Sequence, residues 1–377
     1  MSGGALAGLK VLDFSTLLPG PMATLFLAEA GAEVIKIERP GRGDDLRGYE
    51  PAWGADSVNF HMLNRGKKSV ALDLKDPAAR DRLRPLIAEA DILVEQFRPG
   101  VMERLGLGYG AVSALNPGLI YCSITGYGQD GPARDEAGHD LNYIGRAGLL
   151  ALAPGPEGAP VVPPALIADI AGGTWPAVVN ILLALHTRER TGRGCHLDIA
   201  MAEGILPFLY WALGELQATG QAPRPGGRLV TGGSPRYRLY PAACGRLIAV
   251  AALEQKFWVA FTAAIGLDPA LVEDAIDPEA TARGVAAILG ARPAADWAPI
   301  LATADCCCTV VATLDEAVQD PQYRARGLFE ARLEHPGGTA IALPVPVAPQ
   351  FRAARGSARA PALGADTDTL LDPEREP

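Results

Sequence analysis

The sequence predicts an α/β fold with a mostly parallel sheet, and three features support this. Apolar strand-like segments alternate with helical segments, beginning with strand 9–14, helix 22–30 and strand 33–38. Together these three segments span the roughly 30 residues of a βαβ unit. Glycine and proline, at 43 and 32 of 377 residues, recur along the chain and indicate many turns. This alternation is typical of a sheet covered by helices on both faces.

Further elements follow in the same order. The next predicted elements are helix 77–88, strand 92–97, helix 111–115, strand 119–124, helices 142–151 and 173–187, and strand 196–201. Beyond a Pro/Gly-rich linker at 221–227, the pattern changes to strands 237–240 and 247–251 and helices 255–265, 280–289 and 294–302. This change predicts a second, smaller α+β domain. From about residue 327 the chain has little periodicity.

Composition excludes several classes of protein. With 34 basic and 43 acidic residues, the net charge is −9, which argues against a primary role in binding nucleic acid. The uncharged stretch 170–187 is interrupted by Gly172, Gly173 and Pro176, so a buried helix is favoured over a membrane span. The N-terminus lacks signal-peptide features, and the six cysteines show no metal-type pairing. We therefore expect a cytoplasmic protein without a metal site.

The βαβ start raises the possibility of a dinucleotide site. The loop after the first strand, residues 16–21, has no GxGxxG motif, and the near match at 106–111 follows a helix. A nicotinamide cofactor is therefore disfavoured. Arg39 directly follows the second strand, where nucleotide-binding sheets contact ribose or its phosphate. A nucleotide contact and an ordinary surface arginine are equally compatible with that position.

Several cations lie near predicted strand ends. Arg98 and Arg104 flank a Pro-Gly pair after strand 92–97, and residues 65–68 read Arg-Gly-Lys-Lys. Guanidinium and ammonium groups that converge at this end of a sheet would suit a phosphate-rich ligand. The alternative is a solvated loop.

Three titratable residues are candidates for general acid/base chemistry. His139 precedes an apolar helix that Asp140 could cap. Asp169 precedes Gly172 and Gly173, and such a pair is costly in a helix. Close approach of the backbone to a ligand explains the pair better. Glu254 begins a helix in the second domain. One histidine and two carboxylates suit an acid/base enzyme, although spacing alone does not bring them together.

These residues lie within a family resemblance that covers nearly the whole chain. The chain resembles the CaiB/BaiF group, or family III CoA transferases, and most closely its α-methylacyl-CoA racemase branch. The matching segments begin at Leu9 (LKVLDFS), Pro19 (PGP), Glu38 (ERPG), Asn64 (NRGKKS), Leu72 (LDLK), Phe97 (FRPGVMERLG), Tyr127 (YGQDGP), Gly138 (GHDLNY), Ala168 (ADIAGG), Thr191 (TGRG), Gly232 (GGSP), Ala252 (ALE) and Ala325 (ARG).

The resemblance implies an architecture. Its fold would be the family III CoA-transferase fold, with a Rossmann-like large domain over 1–220 and a smaller α+β domain over 221–326. The segment 327–377 would return to the large domain. Two such chains would form an interlocked homodimer.

The resemblance also implies catalytic roles. His139 and Asp169 would be the proton-transfer pair of a racemase, with Glu254 orienting His139. In transferases the residue matching Asp169 is a nucleophile, so it does not discriminate between the branches. The racemase branch carries a Gly-His-Asp-x-Asn-Tyr motif, here Gly138, His139, Asp140, Asn142 and Tyr143.

By the same resemblance, the substrate is an acyl-CoA thioester, with no cofactor beyond its CoA. Arg39 would contact adenine, and the ribose and phosphates would be held by Leu72, Lys75, Gln96, Arg98 and Arg104. Gly138, Asp140 and Tyr143 would complete the substrate site. The expected activity is interconversion of (R)- and (S)-2-methylacyl-CoA. The alternatives are a CoA transferase that uses Asp169 as nucleophile and a catalytically idle CoA-binding protein.

Overall fold

The structure is a computed structural model that describes residues 3–155, 159–353 and 358–372. The chain divides into two compact units. The first runs to Ala147, resumes over Pro163–Phe208 and resumes again from Gln322. The second comprises Gly148–Val162 and Leu209–Pro321. Compared with the domains predicted from the sequence, the stretches 148–162 and 209–220 group with the second unit.

The strands are short, and most begin or end at a loop that carries glycine or proline. In chain order they are β1 (Lys10–Asp13), β2 (Glu33–Glu38), β3 (Ala52–Trp53), β4 (Asp56–Ser57), β5 (Lys68–Ala71), β6 (Ile92–Glu95), β7 (Ile120–Thr125), β8 (His196–Ala200), β9 (Tyr237–Pro241), β10 (Leu247–Ala251), β11 (Cys308–Val310), β12 (Arg332–His335), β13 (Gly338–Ile341) and β14 (Ala358–Arg359).

The helices are α1 (Pro19–Glu29), α2 (Val58–Asn64), α3 (Pro77–Asp81), α4 (Arg84–Glu89), α5 (Val101–Arg104), α6 (Tyr109–Leu115), α7 (Asp140–Arg146), α8 (Trp175–Thr191), α9 (Tyr210–Thr219), α10 (Gln255–Ile265), α11 (Pro278–Leu289), α12 (Ala294–Ala304), α13 (Leu314–Gln319), α14 (Pro321–Ala325) and α15 (Thr367–Leu371). A π-helical segment, Ala168–Thr174, runs directly into α8.

The first unit is built on a six-stranded sheet in the order β5-β2-β1-β6-β7-β8. Every neighbouring pair is parallel. Alternate side chains face opposite layers. Leu12 of β1 belongs to an apolar cluster with Leu86 of α4, whereas its neighbour Asp13 accepts a hydrogen bond from Thr24 of α1. This mixed α/β architecture confirms the predicted fold class.

Some predicted boundaries are wrong for local reasons. Helix α1 begins at Pro19 rather than at residue 22, because proline is well suited to the first helical turn. The predicted helix 77–88 is two helices, with a proline at the start of each. Strand β5 is missing from the prediction, because residues 65–68 were interpreted as a basic loop.

The basic cluster at 65–68 is largely buried. Lys67, 5% exposed, donates from Nζ to Asp13 Oδ2 at 3.1 Å and to Thr24 Oγ1 at 2.8 Å. Arg65, 3% exposed, pairs with Glu29 at 2.9 Å. Buried charges persist where ion pairs and hydrogen bonds compensate them. Arg65 and Lys67 therefore fit neither of the two interpretations made from the sequence, a phosphate-binding site or a solvated loop.

Helix α8 packs on the sheet with one face only. Ile181 is fully buried, whereas Val179 and Leu183 are more than half exposed. By length and composition alone, this helix and the preceding π-helical segment are long and apolar enough to cross a membrane. Of the most apolar 18-residue stretch, 44% is buried inside the protein. The prediction of a buried helix thus holds for one of its faces.

The second unit has its own core. Strands β9, β10 and β11 form an antiparallel sheet. Three helices, α10, α11 and α12, pack with it in one apolar core, which includes the buried side chains of Trp258, Phe261, Val285 and Trp297. The predicted segments 247–251 and 255–265 coincide with β10 and α10.

The C-terminal segment adds structure where the sequence predicted none. Strand β12 pairs with β13 and β14, and residues just before and within α15 bind the edge strand β5. Asp366 Oδ2 accepts from Ser69 N at 2.8 Å, and Thr367 Oγ1 accepts from Ala71 N at 2.9 Å. These side chains satisfy donors that an edge strand would otherwise leave unpaired.

Candidate active site

The sheet order places a crevice between β1 and β6. From β1 the chain proceeds through β2 to β5 on one side, then returns to build β6, β7 and β8 on the other. Open parallel sheets bind ligands at such a switch point, outside the carboxyl ends of the strands. The loop after β1 and the residues after β6 form this crevice.

A polar cavity of about 450 Å³ lies there. The loops after β1, β6, β7 and β8 contribute to it, together with the segment before α7 and the π-helical segment. It is lined by Thr16, Leu17, Pro19, Gln96, Phe97, Arg98, Pro99, Ile124, Thr125, Gly126, Arg134, Glu136, Ala137, Gly138, His139, Asn142, Tyr143, Asp169 and Met201. Two candidate catalytic residues, His139 and Asp169, therefore share one cavity.

Asp169 lies in the first turn of the π-helical segment and is partly buried. Its backbone N–H donates to Asp140 Oδ1 at 3.0 Å. Burial, and then the Asp140 carboxylate, raise the pKa of Asp169 to about 6, while nearby His139 opposes the rise. The Asp140 carboxylate therefore occupies this backbone N–H.

His139 is the residue before α7, and its side chain is exposed. Its backbone N–H donates to Asn142 Oδ1 at 3.0 Å, which fixes the start of the helix. The prediction that Asp140 caps this helix is therefore wrong. Asp140 is 5% exposed and lies within the helix, with its carboxylate bonded to Asp169 instead.

Tyr143 is buried beside the same cavity, and its hydroxyl donates to the Gly138 carbonyl at 2.5 Å. A Cβ at Gly138 would lie 2.6 Å from the Tyr143 ring, and a Cβ at Gly126 would lie 2.5 Å from it. Glycine at both positions therefore lets the ring occupy this place without a clash. Burial, followed by the charge on Asp169, raises the pKa of Tyr143 to about 12, which keeps the phenol neutral.

Gly172 and Gly173 have a structural explanation other than the expected one. A Cβ on Gly172 would lie 2.2 Å from the carbonyl oxygen of Met201, and one on Gly173 would lie 2.9 Å from Met201 Cγ. The two glycines let the π-helical segment pack on the chain after β8. The expectation that this backbone approaches a ligand is therefore wrong, since it approaches the protein itself.

A second cavity, of about 460 Å³, extends from the first at Thr16 and Phe97. It is lined by Arg39, Leu72 and Lys75 at the carboxyl ends of β2 and β5. Arg39 forms an exposed ion pair with Asp45. The structure thus gathers three of the predicted CoA-binding residues at one end of the crevice.

Only some of the other predicted binding residues line the polar cavity. Arg98 lines the cavity. Gln96 lines it too, but its Oε1 accepts from the N–H of Gly20 at 3.1 Å. Arg104 lines neither this cavity nor the second one, and its Nη1 lies close to Gly100. Arg134 also lines the cavity; it was missed because it lies in a loop with no recognisable pattern.

An apolar cavity of about 600 Å³ adjoins the catalytic candidates on another side. It shares Leu17, His139 and Asp169 with the polar cavity. Its other lining residues are Leu18, Leu46, Tyr49, Asn59, Met62, Leu63, Asp140, Leu141, Leu166 and Leu343. Sequence reasoning did not detect this space, because its walls come from six separate segments.

Glu254 lies in the second unit, directly before α10. Its predicted action on His139 stays a prediction. Over residues 3–155, 159–353 and 358–372, no group of three His, Cys, Asp or Glu side chains is arranged to hold a metal ion.

Comparison with known proteins identifies the family. The profile of CoA-transferase family III matches residues 6–367. The chain is 34% identical to human alpha-methylacyl-CoA racemase over 377 residues, covering 98% of this chain and 93% of the human protein. It is 42% identical to acetyl-CoA:oxalate CoA-transferase of Acetobacter aceti over 221 residues, covering 58% of this chain and 57% of that protein.

Solved structures agree. Rv3272 from Mycobacterium tuberculosis superposes with a TM-score of 0.84 at 28% identity, covering 98% of this chain and all of that one. A CaiB/BaiF family protein from Brucella suis gives a TM-score of 0.81 at 28% identity, with 98% and 100% coverage. With the family profile spanning nearly the whole chain and the same overall fold in these solved structures, this protein belongs to CoA-transferase family III.

Proposed function

We propose that the protein is an α-methylacyl-CoA racemase that interconverts (R)- and (S)-2-methylacyl-CoA. The observation that carries the proposal is the shared lining of one cavity by His139 and Asp169. Racemization without a cofactor needs one group to remove the α-proton and another to deliver a proton to the opposite face. The identity to a racemase along almost the entire chain supports the same choice.

In the proposed mechanism one of the pair takes the proton from C2 of the substrate. The electrons of the broken C–H bond pass into the thioester, whose carbonyl oxygen becomes an enolate oxygen. The other group then donates a proton to C2 from the opposite face. His139 and Asp169 exchange roles with the hand of the substrate, and each turnover leaves the total number of protons unchanged.

The protonation behaviour of Asp169 suits this role. A carboxyl with pKa about 6 is a stronger base than an ordinary aspartate, yet remains ionised at neutral pH. Proton transfer is most effective when the pKa of the catalytic group lies near the working pH. Partial burial next to Asp140 therefore prepares Asp169 for proton abstraction.

The surrounding cavities provide for the rest of the substrate. Arg39 and Lys75 would hold the nucleotide end of CoA, and Arg98 and Arg104 its phosphates, since guanidinium groups bind phosphate oxygens in paired geometry. The apolar cavity next to His139 and Asp169 would accept the hydrocarbon of the acyl group. The thioester would then lie at the junction of the polar and apolar cavities.

Incubation of each enantiomer of 2-methyldecanoyl-CoA in D2O, without any carboxylic acid acceptor, tests the proposal. We expect deuterium at C2 together with loss of optical purity, measured by mass spectrometry and chiral chromatography. The double variant His139→Gln/Asp169→Asn is the inactive control. Absence of exchange for both enantiomers would overturn the proposal.

A second candidate is a CoA transferase, which the 42% identity to an oxalate CoA-transferase favours. Asp169 would attack the acyl-CoA carbonyl, release the CoA thiolate and form a mixed anhydride. Transfer of CoA to an added carboxylate, with a hydroxylamine-sensitive acyl group on Asp169, would select this activity. The transferase would also tolerate loss of the His139 imidazole.

A further inference from the structure

Leu17, in the loop between β1 and α1, has a φ of +62°. This left-handed region suits glycine, and a branched side chain adopts it only where the surroundings impose it. The residue is also placed at a special point, because it lines both the polar and the apolar cavity together with His139 and Asp169. Both its conformation and its position therefore require an explanation.

A buried ion pair holds the loop in this conformation. Asp44 Oδ1 accepts from the Leu17 N–H at 3.0 Å and from the Leu46 N–H at 2.9 Å. Asp44 Oδ2 pairs with Lys36 Nζ at 2.9 Å, and both side chains are fully buried. Lys36 Nζ also donates to the carbonyl of Ser15 at 2.7 Å. The pair thus fixes the backbone on both sides of Thr16.

We propose that Leu17 determines which acyl groups fit at the junction of the two cavities, and that Asp44 is a positioning residue that acts through Leu17. This inference rests on the proposed function only insofar as an acyl-CoA occupies the site. A side chain held in one place leaves a defined space for the substituents on C2. Preorganisation of this kind increases selectivity, because no binding energy is spent on ordering the loop.

Binding measurements test the inference without requiring turnover. The affinities of 2-methyldecanoyl-CoA, acetyl-CoA and free CoA are measured by calorimetry on the wild type and on Leu17→Ala. We expect the branched acyl-CoA to bind about tenfold more weakly to Leu17→Ala. Free CoA should bind within about twofold of the wild type, because its proposed contacts are with Arg39, Lys75 and Arg98 rather than with Leu17.

A double-mutant cycle tests the role of Asp44. Asp44→Ala should weaken the binding of the branched acyl-CoA, relative to that of acetyl-CoA, about as much as Leu17→Ala does. The double variant should bind the branched acyl-CoA only slightly more weakly than either single variant. If Asp44→Ala does not fold, Asp44→Asn replaces it, since this variant loses the ion pair but keeps an acceptor oxygen. Asp91→Ala, which breaks the ion pair with Arg188, is the control and should leave the ratio of affinities unchanged.

Two results would overturn the inference. One is an unchanged ratio of affinities in Leu17→Ala. The other is an Asp44 effect that simply adds to the Leu17 effect, which would show that Asp44 acts by another route. If the wild type binds acyl-CoA with the expected selectivity but exchanges no α-proton, only the proposed racemase activity fails.

Discussion

The backbone N–H of Asp169 donates to the carboxylate of Asp140 at 3.0 Å, and both acids line the apolar cavity. The contact has two separate effects, one on the backbone and one on the pKa of Asp169. It anchors the first turn of the π-helical segment, yet the charge on Asp140 joins burial in raising the pKa of Asp169. Asp140 is thus a structural anchor that also adjusts the basicity of its neighbour.

The first prediction concerns this pair. Asp140→Asn keeps an acceptor for the Asp169 N–H but removes the charge, so the pKa of Asp169 should fall towards its usual value. The acid limb of the kcat–pH profile should move to lower pH for the enantiomer whose proton Asp169 abstracts. Profiles of initial rate against pH measure this, and an unmoved limb would contradict the assignment of the limb to Asp169.

A second prediction separates the two proton-transfer groups. His139→Gln should still exchange the α-proton of one enantiomer through Asp169, and Asp169→Asn that of the other through His139. Neither variant should invert its substrate at an appreciable rate, because the opposite face lacks its acid. Deuterium uptake measured separately on each enantiomer checks this; loss of the same enantiomer's exchange in both variants would argue for a single base.

A third prediction links the acidity of Asp169 to stability. Unfolded Asp169 ionises near pH 3.8, whereas the folded protein holds the proton up to about pH 6. Stability therefore falls as pH rises between these values, and the full cost remains above pH 6. Asp169→Asn should stabilise the protein by about 1–3 kcal/mol at pH 8 and by little at pH 3. Urea unfolding at both values tests this, and an equal gain at both would refute it.

A fourth prediction concerns the close packing at Gly172. Gly172→Ala places a Cβ 2.2 Å from the carbonyl oxygen of Met201, so it should destabilise the fold by about 1–3 kcal/mol. Gly145→Ala is the matched control, because Gly145 is an exposed position in α7 with no atom near the added Cβ. It should stabilise the protein by up to about 1 kcal/mol. Similar melting temperatures for the two variants would contradict the packing argument.

A fifth prediction compares two neighbouring lysines. Lys67→Met removes a buried cation and leaves the Asp13 carboxylate without it, which should cost about 3–5 kcal/mol. Lys68→Met breaks only a half-exposed pair with Glu33 and should cost less than about 1 kcal/mol. Denaturant unfolding of both variants measures the difference, and equal losses would show that burial of the Lys67 pair is unimportant.

The fold was largely predictable, because periodicity marks each buried strand and helix. Segments such as 33–38 and 255–265 agree with β2 and α10 residue by residue. Strand β5 was missed because lysines normally indicate solvent, whereas Lys67, just before the strand, and Lys68, its first residue, pair with the distant acids Asp13 and Glu33. Strands β12 to β14 were missed because each is only two to four residues long.

The candidate site was predictable only in part. The resemblance named His139 and Asp169, and the sheet order explains why both lie at one crevice. The roles predicted for Asp140, as a helix cap, and for Gly172, as backbone close to a ligand, were wrong. An acid next to a helix start and a pair of glycines each have several structural uses. Contacts with Asp169 and Met201 determine which use applies, and those contacts join residues about 30 positions apart.

The binding of Asp366 and Thr367 to β5 also affects the order of folding. The edge of the catalytic sheet obtains its partners, Asp366 and Thr367, almost 300 residues after Ser69 and Ala71. Contacts at such separation form late, since a long loop must close first. On the ribosome the second unit is made while this edge is still open, so the nascent sheet offers a free edge to other chains until residues 366 and 367 have emerged.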